Sequence, residues 1–401
     1  MEITVMKFGG TSVKNNDRLL AAAQKIADEH RLGKGVVAVV SAQGKFTDEL
    51  IAKANEINEK PELREMDALL SAGEQISCSL LAMAVASLGV PSIAMSGWQA
   101  GFITNGNFGS ARIDHLETER VQKAIEEGKA VIVAGFQGIS NGDITTLGRG
   151  GSDTSAVALA AALNASTCRI YTDVEGVYTA DPRIVKSARK LDGISYDEMF
   201  EMASLGAGVM HNRSIKLAKK FGVPLEVRSS ITNNQGTMIK ERFPLENVKI
   251  RGAACDKDIA EISIVGISNI PGLASKLFIA LTENDITPDM ITQSLGSDNS
   301  WNISFTVHSN NADKALYIIN KLRKELGAVR VDCLKDVAKV SIVGSGIMEN
   351  PQIPAQLFTA LTDANVNIRM ISTSELKLSV VVHADEGHRA LVAVHGAFFG
   401  E

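Results

Sequence analysis

Short β-branched runs separated by helix-length spans fill the first ~245 residues, and this alternation constrains the fold more than any other feature. Residues 36–40 (VVAVV), 130–136 (AVIVAGF) and 169–174 (RIYTDV) read as buried strands. Between them, Asn16 is placed to cap a helix whose Leu19, Leu20, Ala23, Ile26 and Ala27 share one face. The alanine-rich stretch 66–88 reads as a buried helix. Strands alternating with helices predict an α/β domain with a mainly parallel sheet, covered by helices on both faces. Ligands of such sheets collect beyond the carboxyl ends of the strands, so the loops after these runs are where chemistry is expected.

The C-terminal third carries a repeat instead. Ser263-Ile264-Val265-Gly266 returns 78 residues later as Ser341-Ile342-Val343-Gly344. The run LFIALT at 277–282 returns 80 residues later as LFTALT at 357–362, and a small insertion near 347–351 explains the added spacing. Each unit reads strand, Gly/Pro loop, helix, strand, strand, helix, which is a ferredoxin-like βαββαβ module. Two such modules behind an α/β domain suit a sensor or a dimerisation platform.

With 401 residues, 45% apolar and 22% charged, the chain has material for two or three ordinary cores. A formal net charge of −5 gives no global reason to expect nucleic acid or a membrane surface as partner. No apolar run reaches the roughly 20 residues that span a bilayer, and no signal peptide is visible, so the expected compartment is the cytoplasm. Cys78, Cys168, Cys255 and Cys333 are scattered without a CxxC pair, as expected of reduced thiols.

Three segments carry the residue types of a chemical site. The first is Met6-Lys7-Phe8-Gly9-Gly10-Thr11-Ser12, directly after the short apolar stretch 3–5. Its glycines let backbone N–H groups close on a polyphosphate, and Lys7 adds a full positive charge. The run matches neither GxxxxGK[ST] nor GxGxxG, so nucleotide binding here implies another fold, and a plain tight turn is the alternative. The second is TTLGRGGSDTS at 145–155, which precedes the helical run 156–163. Ser152 or Asp153 is placed to cap that helix, whose free N–H groups suit an anion, and Arg149 offers a fork for a carboxylate. A glycine-rich turn with an ordinary cap is the alternative. The third is Glu74, inside an apolar helix, where a carboxylate must be paired, protonated or solvated by a cleft unless it lies on the helix surface. Ser41 and Thr47 follow the second strand. Thr172, Asp173, Gly176, Tyr178 and Asp181-Pro182-Arg183 form a polar loop of the kind that holds a nucleotide.

KFGGTS at 7–12, SAGE at 71–74, TTLGRGGSDTSA at 145–156, YTDVEGVYTADPR at 171–183 and VPLEVRSS at 223–230 together resemble the aspartokinases of the amino-acid kinase superfamily. The paired C-terminal modules resemble ACT domains, so the resemblance covers essentially the whole chain in order. It implies an amino-acid kinase fold at 1–246 and ACT modules at 250–334 and 335–401, the second completed by a strand near 248–254. ATP and Mg²⁺ are the implied cofactors and L-aspartate the implied substrate. The product would be 4-phospho-L-aspartate, at the entry to lysine, threonine and methionine synthesis. No dehydrogenase region follows residue 401, which makes a monofunctional enzyme the expectation.

The same resemblance assigns roles. Lys7 would neutralise the transferring phosphoryl group, with Gly9 and Gly10 beneath the phosphates. Ser41, Thr47 and Ser152 would line the aspartate pocket, Glu74 would pair with its ammonium and Arg149 with its α-carboxylate. Asp153 would organise Lys7 and magnesium, and Thr172, Asp173, Tyr178 and Arg183 would hold ATP. Lysine or threonine, or both, would bind where ACT modules meet between subunits, near Asp289, Gln293, Asn367, Ile368, Ser374 and Glu375. A homodimer or larger assembly is expected, with a separate C-terminal subunit started at Met238 as a further option. The sequence departs from many relatives at Gly208, where they carry a lysine that contacts ATP. An aspartate side chain, with a free pKa of roughly 3.9, attacks already ionised, so no general base is expected. Sister kinases acting on glutamate, N-acetylglutamate or UMP, and a catalytically inert regulatory binding protein, are the competing readings.

Overall fold

The computed structural model describes residues 1–206, 209–241, 250–296 and 299–400, and the chain divides into two compact units. The first holds Met1–Tyr178, Lys190–Ser204 and the described part of Gly208–Leu245. It is built on an eight-stranded sheet in the order Gly193–Ser195, Thr237–Lys240, Leu225–Ser229, Thr167–Thr172, Ile3–Phe8, Gly35–Val40, Ala130–Ala134, Ser92–Met95. Every neighbouring pair is parallel except Leu225–Ser229 with Thr237–Lys240. Phe8 lies opposite both Val40 and Tyr171, so three strands finish together and their following loops open on one edge. This is where an α/β sheet places its ligands.

Both faces of the sheet are covered. Val36, Ala38 and Val40 are buried with Leu19 and Ile26 of the helix Asn16–Arg31 and with Cys78, Leu81 and Val85 of the helix Leu63–Ser87. The helix Gly151–Ala162 packs on Ile3–Phe8 and Gly35–Val40 from the opposite face, where Ser152 stands beside Val39 and Gly135. The helix Leu63–Ser87 is long and apolar enough to cross a bilayer, but Cys78, Leu81 and Val85 are committed to the core, and it carries Asp67 and Glu74 buried.

Two local expectations need correction. The first helix is capped by Asn15, whose Oδ1 accepts from Arg18 N at 3.1 Å, and Asn16 is already its first residue. The helix expected over 156–163 starts at Gly151, and neither Ser152 nor Asp153 caps it. Gly150, at φ 69°, turns the chain directly into the helix and places both side chains in its first turn.

A second, smaller sheet was not legible beforehand. Its strands Ile113–Leu116, Phe102–Thr104, Gln137–Ser140 and Asp143–Thr146 are three or four residues long. The last two form a hairpin through Asn141 and Gly142, both at positive φ, as a tight primed turn requires. That hairpin delivers the chain to Leu147–Gly150.

The second unit contains the repeat. One module has the sheet order Ile291–Leu295, Trp301–His308, Ile259–Ile267, Arg330–Leu334, with the helices Leu273–Thr282 and Ala312–Leu326: a complete βαββαβ unit with its own core. The other has the order Gly252–Asp256, Val337–Val343, Lys377–His383, Met370–Thr373, with the helices Gln352–Asp363 and Gly387–Phe399. Its edge strand Gly252–Asp256 comes from ahead of the first module and pairs antiparallel with Val337–Val343. Val248, at the start of the strand expected there, lies outside the described residues, as does Gly208.

The segment Thr179–Arg189 also belongs to the second unit. Ala180 and Val185 are buried in the core of the second module. Ala253 N donates to Thr179 O at 2.7 Å, and Thr179 Oγ1 lies 2.9 Å from Nε2 of the buried His395.

Candidate active site

The strand Ile3–Phe8 delivers Lys7 to the open edge of the sheet, where its Nζ lies 2.5 Å from Asp153 Oδ1 on the first turn of the helix Gly151–Ala162. Both side chains are only 12–13% exposed, so the pair is partly desolvated and holds its geometry better than a surface pair. Gly9 and Gly10 then turn the chain. A Cβ on Gly10 would lie 2.7 Å from Ala42 O and 3.1 Å from Gly44 O, so only glycine lets this turn close on the loop after Gly35–Val40. Gly44 N donates to Gly10 O at 3.0 Å and Ser41 N donates to Phe8 O at 3.1 Å, which ties the two loops together. Thr47 lies in the first turn of the helix Phe46–Ile57.

Glu74 faces this loop from the helix Leu63–Ser87. It is 4% exposed, and its Oε1 accepts from Ala42 N at 3.1 Å. Its Oε2 is buried without a hydrogen-bond partner among the described residues. Burial pushes the carboxyl up to about 7, against the smaller opposing effect of the Ala42 N–H. Lys7, Gly10, Ser41, Glu74 and Asp153 are thus joined through one connected set of contacts at the sheet edge, and Ser152 touches the same region at Gly135.

Arg149 is exposed and forms no hydrogen bond or ion pair among the described residues. The loop that carries it is fixed by two residues the motifs did not reveal. Asp67, 1% exposed, accepts from Thr146 N at 2.8 Å, Thr146 Oγ1 at 2.6 Å and Gly109 N at 2.9 Å. Arg213 donates through its two terminal nitrogens to Leu147 O at 2.7 Å and Ala111 O at 2.9 Å. On the following residues, a Cβ on Gly150 would collide with the His211 side chain at 2.3 Å. Asp67 had one available signal: it is a second acid in an apolar helix, seven residues before Glu74 and on the same face. Arg213 had none.

The loop expected to hold a nucleotide is divided between the units. Thr172, Asp173 and Tyr178 belong to the first, where Thr172 Oγ1 donates to Asp173 Oδ1 at 3.1 Å and Asp173 is exposed. Tyr178 forms an isolated bridge with Lys190, and burial together with the nearby Glu175 raises its phenol above the usual value. Arg183 belongs to the second unit, where it is exposed and paired with Asp181. Among the described residues no group of three His, Cys, Asp or Glu side chains is arranged to hold a metal ion.

The residues named as effector contacts occupy corresponding places in the two modules. Asp289 precedes the strand Ile291–Leu295, which carries Gln293; Asn367 and Ile368 precede Met370–Thr373, and Ser374 and Glu375 form the turn after it. Asp289 is engaged by Lys339 at 2.5 Å. Burial would raise its carboxyl, but the charge and hydrogen bond of Lys339, helped by Lys377, hold it below the usual range.

Comparison with known proteins agrees with this architecture. Residues 2–229 match the amino acid kinase family, and residues 262–322 and 340–398 match the ACT domain. The chain is 48% identical over 400 residues to an aspartokinase of Bacillus sp. strain MGA3, covering 99% of this chain and 97% of that one. The crystal structure of E. coli aspartokinase III in complex with aspartate and ADP (R-state) gives a TM-score of 0.83 at 27% identity, covering 99% of this chain and 100% of the other. The E. coli enzyme in complex with lysine and aspartate (T-state) gives 0.76 at 27% identity, covering 100% of both chains. Identity at this level over nearly the full length fixes the family: the chain belongs to the aspartokinases, ATP-dependent kinases of the amino acid kinase family.

Proposed function

We propose that the protein transfers the γ-phosphoryl group of ATP to the side-chain carboxylate of L-aspartate, giving 4-phospho-L-aspartate and ADP. This is the first step toward lysine, threonine and methionine, carried out in the cytoplasm. The observation that carries the reading is Glu74, a buried carboxylate with one oxygen held by Ala42 N and the other without a partner among the described residues. Such a group regains its charge when an ammonium arrives to pair with it. A substrate with an ammonium and an α-carboxylate matches Glu74 and the exposed guanidinium of Arg149, with Ser41, Thr47 and Ser152 as hydroxyl partners. The E. coli relative was crystallised with aspartate and ADP, which supports this choice.

The chemistry asks little of the protein beyond placement. The attacking carboxylate is ionised at neutral pH, so no proton has to be removed from it. Lys7 neutralises charge on the phosphoryl group in transfer, and the turn at Gly9 and Gly10 offers backbone N–H groups to the phosphates. Asp153 holds Lys7 in position through their ion pair. Thr172, Asp173 and Tyr178, which all belong to the first unit, bind the rest of the nucleotide. Mg²⁺ suits this donor set, because it is usually held by one or two carboxylates together with substrate phosphates, and Asp153 is the carboxylate at hand. When bound it supplies charge neutralisation on those phosphates.

Lysine, threonine or both act as feedback effectors at the module positions 289, 293, 367, 368, 374 and 375, in a homodimer or larger assembly. The lysine complex of the E. coli relative supports this regulation. The test is ADP release with L-aspartate, L-glutamate, N-acetyl-L-glutamate and UMP as acceptors. Turnover with aspartate is expected, and turnover with glutamate or UMP but not aspartate would overturn the reading. Titration with lysine and threonine, singly and combined, tests the regulation.

A further inference from the structure

The two C-terminal modules meet within the second unit, and their contact is built from equivalent positions of the repeat. Ile259 and Val337 correspond at the 78-residue offset and Met290 and Met370 at the 80-residue offset. All four share one buried cluster with Val381. A contact made from the same positions of both repeats has an approximate two-fold axis, and its apolar centre fits two modules of the same kind as well as two of different kinds.

The charges around that centre break the equivalence. Glu261 of the first module and Lys339 of the second occupy the same repeat position, and so do Asp289 and Arg369. Across the contact, Arg369 Nε donates to Glu261 Oε2 at 2.7 Å, and Arg369 Nη2 donates to Glu261 Oε1 at 3.3 Å. Lys339 Nζ donates to Asp289 Oδ2 at 2.5 Å. Glu261 is 6% exposed and Lys339 4%, so neither charge has water to fall back on when its partner is wrong. Two first modules placed in this geometry would set Glu261 against Asp289. Two second modules would set Lys339 against Arg369. Both same-kind pairings oppose like charges, and only the mixed pairing satisfies all four.

We infer that Glu261, Asp289, Lys339 and Arg369 form a partner-selecting surface, which admits a first module onto a second module and refuses a module of its own kind. The apolar residues supply the attraction common to every pairing, and the reversed charges supply the choice between pairings. The Glu261–Arg369 pair is the cleaner handle, because Lys339 also lies 3.7 Å from Asp256 of its own module.

The full-length chain and its E261Q, E261R, R369E and E261R/R369E variants would be compared by thermal unfolding and sedimentation velocity. Each single reversal is expected to lower the unfolding temperature of the second unit by about 5 °C, and E261Q by less than half of that. The double exchange should recover the unfolding temperature to within about 2 °C of the unchanged chain. E261R also sets a cation against Asp289 of a second copy, so it should self-associate more with rising concentration than the unchanged chain does. A reversal no more costly than E261Q, or a double exchange that recovers nothing, overturns the pairing rule. An E261R chain that sediments like the unchanged one at every concentration overturns the choice of partner.

Discussion

Asp67 and Arg213 grip the same two segments with opposite charges. The carboxylate takes the N–H groups of Gly109 and Thr146, and the guanidinium gives to the carbonyls of Ala111 and Leu147. Their joint product is a fixed path for the chain into Gly148–Arg149, so loss of either should act on whatever Arg149 binds. R213K keeps the charge but loses the two-pronged donor. It is expected to raise KM for aspartate by about 10- to 100-fold while KM for ATP moves less than about 2-fold. D67N leaves buried donors unsatisfied and should cost about 1–3 kcal/mol of stability, read as a lowered denaturation midpoint. Equal changes in both KM values would show that the clamp has no particular link to the acceptor.

Lys7 offers the most direct test of the phosphoryl-transfer role. K7A is expected to lower kcat by about 10³-fold with little change in KM for aspartate, since the lysine acts on charge that grows toward the transition state. Steady-state kinetics with unchanged circular dichroism would establish this. An active K7A enzyme would remove Lys7 from the mechanism.

Glu74 predicts a particular dependence on pH. Its carboxyl is raised from 4.5 to about 7 by burial in the free enzyme, so it is mostly protonated below that value and mostly ionised above it. Only the ionised form pairs with an ammonium. KM for aspartate should therefore rise as pH falls through about 7, approaching tenfold per unit, and level off above about 8. E74Q should raise KM for aspartate and flatten this arm of the profile. An unaltered profile in E74Q would assign the titration to another group.

The two glycines of the phosphate turn should separate on substitution. Gly9 has extended backbone at φ −70° and ψ 166°, and a Cβ there meets Lys7 Nζ at an ordinary 3.4 Å. G9A should fold with a midpoint near that of the unchanged chain. G10A drives a Cβ into the backbone carbonyls of Ala42 and Gly44 and should cost about 1–3 kcal/mol. Urea denaturation of both variants checks the contrast, and similar midpoints would refute it.

What could be read from the sequence was whatever is encoded locally. Residues 36–40 announce a buried strand by composition alone, and the recurrence of LFIALT as LFTALT announces a second copy of one module. The positions of Lys7 at a strand end, Gly10 in the turn after it and Asp153 near a helix start follow from the same alternation of strand and helix. What could not be read depends on partners far along the chain. Asp67 meets Gly109 and Thr146 at separations of 42 and 79 residues, and Arg213 meets Leu147 at 66. The helix cap at Asn15 was missed by one position because two asparagines adjoin there. The start at Gly151 was missed because it depends on a left-handed Gly150, which a run of glycines permits but does not specify. Nothing in YTADPR indicates that the chain changes units between Tyr178 and Thr179.

That crossing bears on how such a gene can be cut and joined. A break placed after residue 245 would not free a finished catalytic half, because residues 179–189 would stay behind with Ala180 and Val185 stripped of the core they are buried in, and Thr179 without His395 and Ala253. Exchanging the ACT half for another sensor is therefore a two-site operation: the incoming piece must bring a socket for this excursion as well as a junction for the chain end.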